Sequence, residues 1–168
     1  MAVGTVGIMS PGDMGSGVGG ALKKNGLTVL TALDGRSEES SKRASDQSIE
    51  DVGSLDELVK ASDLILSILV PSEALSFARE VAESMVRINK KIAVADCNAV
   101  SPATGKQIGE IITAAGGQFI DAFHIGNRGL DRQQQTLLDV LWRSARIADG
   151  DLDDFRLEFG KHLFFDRQ

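Results

Sequence analysis

A glycine-rich turn near the start of the chain has the residue types of an anion-binding site. Its six residues are Ser10, Pro11, Gly12, Asp13, Met14 and Gly15. They follow an apolar stretch typical of a buried strand. Glycines let a ligand approach the backbone, and the first N–H groups of a helix carry a partial positive charge. The spacing approaches G-x-G-x-x-G, with Ser10 in the first position, and suits a diphosphate; an ordinary glycine turn has the same residues.

The helix expected after this turn has an almost bare face. Gly17, Gly19, Gly20 and Ala21 follow in close succession. Glycine destabilises a helix by about 1 kcal/mol per site relative to alanine, so such a run needs an offsetting interaction. Two explanations are open, a bound dinucleotide beside the helix and simple close packing of the helix on a sheet.

Charged residues follow the second predicted strand, where the choice between two dinucleotides is usually made. Asp34, about 20 residues after the glycine turn, can accept a hydrogen bond from the ribose diol of NAD. Arg36 with Ser37 can bind the additional phosphate of NADP through charge-assisted hydrogen bonds. This pair favours NADP, and the alternative is that Arg36 is a surface charge and Ser37 a helix cap.

Two further segments follow predicted strands. Leu69 and Val70 stand at the carboxyl end of the most apolar strand and are expected to line a cofactor cleft, unless they form a plain turn with Ser72 capping the next helix. Asn98 and Ser101 lie in the run D-C-N-A-V-S-P at 96–102. An amide at the carboxyl end of a strand can hold a carboxylate or hydroxyl, and Ser101 before proline is also an ordinary N-cap.

Alternating strands and helices must position these residues. Strands are predicted at 2–9, 28–33, 49–52, 63–70, 92–95 and 118–122, with helices at 15–25, 37–47, 54–62, 72–85 and 101–115 between them. This alternation predicts an α/β fold, a Rossmann-type doubly wound parallel sheet, over residues 1–126. Ligands of such sheets bind outside the carboxyl ends of the strands. Residues 127–168 are predicted to form a short helical C-terminal tail, with one amphipathic helix at 131–148.

Composition excludes several partner classes. The formal net charge of −6 argues against nucleic acid, and no apolar run approaches the roughly 20 residues that span a membrane. The single cysteine, Cys97, is expected to be a small buried residue rather than a nucleophile. A chain with one cysteine forms no internal disulfide, which fits a cytoplasmic protein. Two distant histidines and one cysteine give no metal-ligand spacing. The aromatic tail suggests a homo-oligomer.

The motifs resemble those of the NADP-binding domain of the 6-phosphogluconate dehydrogenase and 3-hydroxyisobutyrate dehydrogenase family, over residues 3–126. The family's G-x-x-G-L-G-x-M-G is similar to G-I-M-S-P-G-D-M-G at 7–15, and its N-R-[ST] to G-R-S at 35–37. Its cleft turn resembles L-V-P at 69–71, and its D-x-[SN]-x-x-x-P substrate loop resembles D-C-N-A-V-S-P at 96–102. Asp121 and Ala122, followed by Gly126, resemble the segment after its sixth strand.

The resemblance implies an oxidoreductase domain that passes hydride between a small hydroxy acid and NADP. It implies that residues 10–15, Arg36 and Ser37 hold the cofactor, that Leu69, Val70 and Asn98 line its cleft, and that Asn98 and Ser101 hold the substrate. The family's second domain supplies a lysine in a G-x-x-x-K-x-x-N setting, which no lysine here matches. No catalytic residue is therefore assigned, and a non-catalytic dinucleotide-binding or interaction domain is the alternative.

Overall fold

The computed structural model describes residues 3–9, 11–24 and 26–121, and within them six strands alternate with five helices. The strands are β1 (Thr5–Ile8), β2 (Thr28–Thr31), β3 (Glu50–Asp51), β4 (Leu64–Ser67), β5 (Ala93–Asp96) and β6 (Gln118–Asp121). The helices are α1 (Asp13–Lys24), α2 (Glu38–Asp46), α3 (Leu55–Ala61), α4 (Ala74–Arg87) and α5 (Pro102–Ala114). The predicted tail at 127–168 and the boundary at residue 126 lie outside these residues.

All six strands are parallel and lie in the order β3-β2-β1-β4-β5-β6. The chain therefore builds one half of the sheet outward from β1, then returns to β4 on the other side of β1 and builds the second half. This confirms the predicted Rossmann-type α/β fold. The strand order reverses between β1 and β4, and in such sheets the ligand crevice opens at that point, outside the carboxyl ends of the strands.

Apolar side chains alternate between the two faces of the sheet and form one core on each. Ile8 and Leu66 pack with residues of α1 and α2, whereas Ile65 packs with residues of α3, α4 and α5. The central strand β4 is buried along its whole length, as its continuous apolar sequence predicts. Full burial of one such side chain contributes roughly 1.5–3 kcal/mol, so the two cores hold the strand ends rigidly in place.

Serine side chains cap three of the helices, and the caps predicted at Ser37 and Ser101 are confirmed. The side chains of Ser37, Ser54 and Ser101 accept hydrogen bonds from the third residue beyond each, at the starts of α2, α3 and α5. Ser72 is not a cap, and that prediction is wrong. Pro71 opens a short 3-10 turn (Pro71–Glu73), and α4 follows it directly without a side-chain cap. Proline fixes its own φ, which favours a tight turn at this point.

The first four strands are shorter than predicted, β5 has its predicted four residues shifted by one position, and α1 begins earlier. The strand predicted at 63–70 covers only Leu64–Ser67, because beyond it the Leu69 N–H bonds to a side chain rather than to a neighbouring strand. Helix α1 begins at Asp13, and the Ser16 N–H already donates to the Gly12 carbonyl at 2.8 Å. Among the described residues, no helix is long and apolar enough to cross a membrane.

A carboxylate joins α3 to α4 on the outer surface. Asp56 accepts hydrogen bonds from Arg87 Nε at 2.8 Å, from Arg87 Nη2 at 2.5 Å and from the Ser84 hydroxyl at 2.6 Å. The bonds from Arg87, and after them the bond from Ser84, lower the pKa of Asp56 to about 2. A group with a lowered folded-state pKa stabilises the fold above its unfolded pKa of about 4, and this stabilisation disappears as the pH falls through about 2.

We therefore expect Asp56→Asn to lower the melting temperature modestly at pH 7, by a difference from wild type that shrinks toward zero between about pH 4 and pH 2. Thermal unfolding followed by circular dichroism across this pH range measures it. Glu57→Gln is the matched control, because the ion pair of Glu57 within the described residues is with Lys60 on the same helix, at 3.2 Å. A difference that stays constant down to pH 2 would contradict the assignment.

Candidate functional site

The glycine turn connects β1 to α1 at the point where the strand order reverses. Pro11 is buried, Gly12 is half-buried, and Gly15 is buried within the first turn of α1. A Cβ atom built on Gly12 would have no neighbour within 4 Å among the described residues. The described part of the chain therefore leaves space beside this glycine, and the first N–H groups of α1 lack partners within the helix. Ser10, the remaining predicted residue of the turn, lies outside the described residues.

The glycines further along α1 serve packing. A Cβ atom on Gly19 would stand 2.5 Å from Ile49 Cδ1, and one on Gly20 would overlap the side-chain amide of Gln47. Both positions are buried against neighbouring protein. Of the two explanations for the bare helix face, close packing therefore accounts for Gly19 and Gly20. It does not account for Gly12, whose Cβ position has no neighbour within 4 Å in the part of the chain that the structure describes.

An ion pair that the sequence did not suggest joins the turn to α2. Asp13 and Met14 are exposed at the start of α1, and Arg43 Nη2 lies 3.0 Å from Asp13 Oδ1 and 2.7 Å from Glu39 Oε1. A carboxylate at the first position of α1 would repel a bound anion. The Arg43 guanidinium offsets this charge and places a cation beside the turn. Because the partners are far apart in sequence, no local pattern predicted the pair.

The segment after β2 presents Arg36 to solvent. The Arg36 N–H donates to the Leu33 carbonyl at 2.9 Å, which closes a turn in which Gly35 has a φ of +73°. The side chains of Asp34, Arg36 and Ser37 are exposed. Asp34 leans toward the loop after β3, with its Oδ1 3.6 Å from a Cβ position built on Gly53. The Ser37 hydroxyl accepts from the Ser40 N–H at 3.3 Å as the cap of α2.

The two segments predicted after β4 and β5 are in direct contact. The Leu69 N–H donates to Asn98 Oδ1 at 2.6 Å, and Asn98 Nδ2 donates to the Ser67 hydroxyl at 2.8 Å. Asn98 is only 5% exposed, whereas Val70 is 62% exposed and projects from the turn that Asn98 holds. Ser101 is exposed at the start of α5, where it caps the helix through the Thr104 N–H. The structure thus joins Asn98 to Leu69, and leaves Ser101 on the surface beyond them.

Asp96 is a buried residue of this region that sequence reasoning did not single out as functional. It is 1% exposed at the end of β5 and accepts a hydrogen bond from Asn98 Nδ2. Burial raises the pKa of Asp96, while hydrogen bonds from Asn98 and Ser67 oppose the rise. A carboxylate at the end of an otherwise apolar strand was the signal available in the sequence.

Cys97 is buried and free, and burial raises the pKa of its thiol to about 12. Since the thiolate is the nucleophile, Cys97 is not activated for covalent chemistry, as predicted. Among residues 3–9, 11–24 and 26–121, no three His, Cys, Asp or Glu side chains gather as they would to hold a metal ion.

The site predicted from sequence is thus spread along the carboxyl ends of β1, β2, β4 and β5, across the crevice of a doubly wound sheet. A family model described as the NAD binding domain of 6-phosphogluconate dehydrogenase matches residues 2–133. The chain belongs to this family. Membership in a dinucleotide-binding family agrees with the open turn at Gly12 and with the crevice between β1 and β4.

Solved structures support the same fold for this member of the 6-phosphogluconate dehydrogenase NAD-binding family. The 3-hydroxyisobutyrate dehydrogenase of Salmonella typhimurium is 23% identical, with a TM-score of 0.59, over 78% of this chain and 45% of that one. An imine reductase from Myxococcus stipitatus, solved with NAD+, is 19% identical, with a TM-score of 0.55, over 71% of this chain and 39% of that one.

A third similar structure is a conserved protein of unknown function described as structurally similar to 3-hydroxyacid dehydrogenases. It is 18% identical to this chain, with a TM-score of 0.58, over 95% of this chain and 76% of that one. The chain thus spans less than half of the Salmonella and Myxococcus enzymes. No curated protein matches it in sequence.

Proposed function

We propose that this chain is the NADP-binding domain of an oxidoreductase of the β-hydroxyacid dehydrogenase type. The observation that carries the proposal is the open space at Gly12, on a turn at the reversal point of the strand order. Gly26 and Gly35 also have no described neighbour within 4 Å, but their positive φ values favour glycine. Gly19 and Gly20 are packed against side chains, and Gly12 has neither feature among the described residues. A diphosphate that approaches the backbone at Gly12 and Gly15 uses the space and the N-terminus of α1 together.

The choice of NADP over NAD rests on Arg36. Its side chain is exposed at the carboxyl end of β2 and forms no ion pair among the described residues. A guanidinium can grip a phosphate with two parallel hydrogen bonds, and the Ser37 hydroxyl beside it can add a third. The carboxylate of Asp34, the residue that would favour NAD, points toward Gly53 in the loop after β3. We therefore assign Arg36 and Ser37 to the 2′-phosphate.

The remaining residues would serve the reacting end of the cofactor. Bound NADP would supply the hydride acceptor for oxidation of a hydroxyl carbon, or NADPH the donor in the reverse direction. Leu69 and Val70 would line the cleft at this end. Asn98, which is bonded to Leu69, and the exposed Ser101 would hold a hydroxy-acid substrate beside it. The Salmonella relative, a 3-hydroxyisobutyrate dehydrogenase, supports this substrate class.

The second candidate is a non-catalytic dinucleotide-binding or interaction domain. It is favoured by one observation, that no lysine of the sequence stands in the G-x-x-x-K-x-x-N setting of the family's acid and base. Turnover of a hydroxy acid by the purified chain would separate the two. We further propose a cytoplasmic location, which the single buried cysteine supports, and self-association through residues 127–168.

The test is a titration of the purified chain with NADPH and with NADH, followed by the fluorescence of the reduced nicotinamide. We expect both nucleotides to bind and NADPH to bind at least tenfold more tightly, because a charge-assisted phosphate contact is worth roughly 1.5–3 kcal/mol. If neither NADPH nor NADH binds at millimolar concentration, the proposal is wrong. Equal affinities would keep dinucleotide binding and overturn the choice of NADP.

A further inference from the structure

Three buried polar side chains lie together at the carboxyl ends of β4 and β5. Ser67 and Asp96 are register partners on the two strands, and Asn98 follows two residues after Asp96. Their exposed fractions are 3%, 1% and 5%. Burial of a carboxylate is costly unless hydrogen bonds replace its water. Asp96 accepts them from the side chains of Asn98 and Ser67 and from the Asn98 backbone. The Asp96 carboxylate is therefore buried with several hydrogen bonds directed at it, and we ask which neighbouring group it orients.

Asp96 determines which way the Asn98 amide points. A carboxylate can only accept hydrogen bonds, so the amide nitrogen of Asn98 must face Asp96. Asn98 Nδ2 also donates to the Ser67 hydroxyl at 2.8 Å. The amide oxygen is thereby turned to the opposite side, where it accepts from the Leu69 N–H at 2.6 Å. Both ends of the Asn98 amide are held by the protein.

In the turn between β4 and α4, the Leu69 N–H donates to a side chain and not to a neighbouring strand. Val70 is the next residue, and among the described large apolar side chains it is the second most exposed. The contact from Asn98 to Leu69 is the side-chain hydrogen bond that ties this turn to the segment after β5, while the Glu73 N–H donates to the Val70 carbonyl at 2.9 Å within the turn. If Asn98 rotates, this turn loses its anchor to β5.

We propose that Asp96 is a positioning residue for the nicotinamide half of the cofactor, acting through Asn98 on the turn at Leu69 and Val70. This inference rests on the proposed dinucleotide-binding function. It also changes the part played by Asn98, which would act by holding the turn and not by touching cofactor or substrate with its amide. Asp96 itself, almost fully enclosed, cannot reach a ligand.

The topology separates this effect from the rest of the site. A dinucleotide lies across the crevice with one nucleotide on each half of the sheet. The adenosine half belongs with β1 and β2, where Arg36 stands, and the nicotinamide half with β4 and β5. Disturbing Asp96 should therefore weaken ligands that contain nicotinamide and leave ligands of the adenosine half unaffected.

The experiment compares NADPH with 2′,5′-ADP, which carries the 2′-phosphate and lacks nicotinamide, by calorimetric titration of Asp96→Asn and wild type. The variant replaces one acceptor oxygen with an NH2 group. We expect NADPH to bind roughly tenfold more weakly, since hydrogen bonds to a charged group are lost, and 2′,5′-ADP to bind within about twofold of wild type. Asp46→Asn, the same change at an exposed carboxylate at the C-terminal end of α2, is the control and should alter neither affinity.

Three results would overturn the inference or its foundation in distinguishable ways. Unchanged NADPH affinity in a folded Asp96→Asn variant would make Asp96 merely structural. Equal weakening of both ligands would indicate general damage rather than positioning. Failure of wild type to bind either ligand would remove the proposed function itself.

If Asp96→Asn does not fold, Ser67→Ala decides. Ser67 is the other partner of the Asn98 amide nitrogen and also donates to Asp96, so its loss removes one hydrogen bond from each of these side chains. We expect NADPH to bind roughly 2- to 10-fold more weakly, again with 2′,5′-ADP unchanged. A folded Ser67→Ala protein that binds both ligands as wild type does would overturn the inference.

Discussion

Replacement of Gly12 with alanine is expected to weaken NADPH and NADH binding by roughly tenfold or more while leaving the fold intact. Within residues 3–9, 11–24 and 26–121, the added Cβ would meet no atom closer than 4 Å, so we expect it to be tolerated by the fold. It would instead occupy the space through which a diphosphate approaches the backbone and the N-terminus of α1. Fluorescence titration measures binding, and thermal unfolding measures the fold.

Gly7→Ala is the matched control for this prediction. A Cβ on Gly7 would stand 2.6 Å from the Ser62 hydroxyl and 3.1 Å from Leu58 Cδ1, inside the core. Overpacking of this kind costs about 1–3 kcal/mol, so this variant should lose stability. A Gly12→Ala protein that binds both nucleotides with wild-type affinity would contradict the location of the diphosphate.

Replacement of Arg36 with alanine is expected to weaken NADPH binding by about tenfold to a hundredfold and to leave NADH binding unchanged. The reason is that Arg36 would contact only the 2′-phosphate, which NADH lacks. Because the Arg36 side chain is exposed and forms no ion pair among the described residues, the melting temperature should not change. Parallel titrations with the two nucleotides measure the selectivity directly.

Arg79→Ala is the control for Arg36→Ala, because Arg79 is an exposed arginine on α4, away from β2. It carries the same charge and should alter neither affinity. If Arg36→Ala weakens both nucleotides equally, then Arg36 acts as a general positive charge. The assignment of the 2′-phosphate to Arg36 and Ser37 would then be wrong.

Local signals made most of the fold predictable. The caps Ser37, Ser54 and Ser101 act on residues three positions away, so their patterns are visible in the sequence. The unbroken apolar run of β4 identified the central strand of a parallel sheet. The cap predicted at Ser72 is wrong because this serine lies within the 3-10 turn that Pro71 begins, and it accepts no hydrogen bond from the first turn of α4.

Contacts between distant segments could not be predicted in the same way. Asn98 holds the N–H of Leu69, 29 positions earlier, and only the pairing of β4 with β5 brings them together. The ion pair of Asp13 with Arg43 likewise depends on how α1 and α2 lie on one face of the sheet. The sequence therefore identified the turns of the site but not the buried carboxylate and the ion pair that support them.

Backbone amide NMR of the chain during titration with NADPH tests the central claim most directly, since it locates the ligand residue by residue. We expect the largest shifts at Gly12, Gly15 and Arg36, and none at Val86 and Ala114 near the carboxyl-terminal ends of α4 and α5, at the opposite edge of the sheet. Saturable binding without shifts at the turn between β1 and α1 would contradict this account, as would shifts confined to α4 and α5.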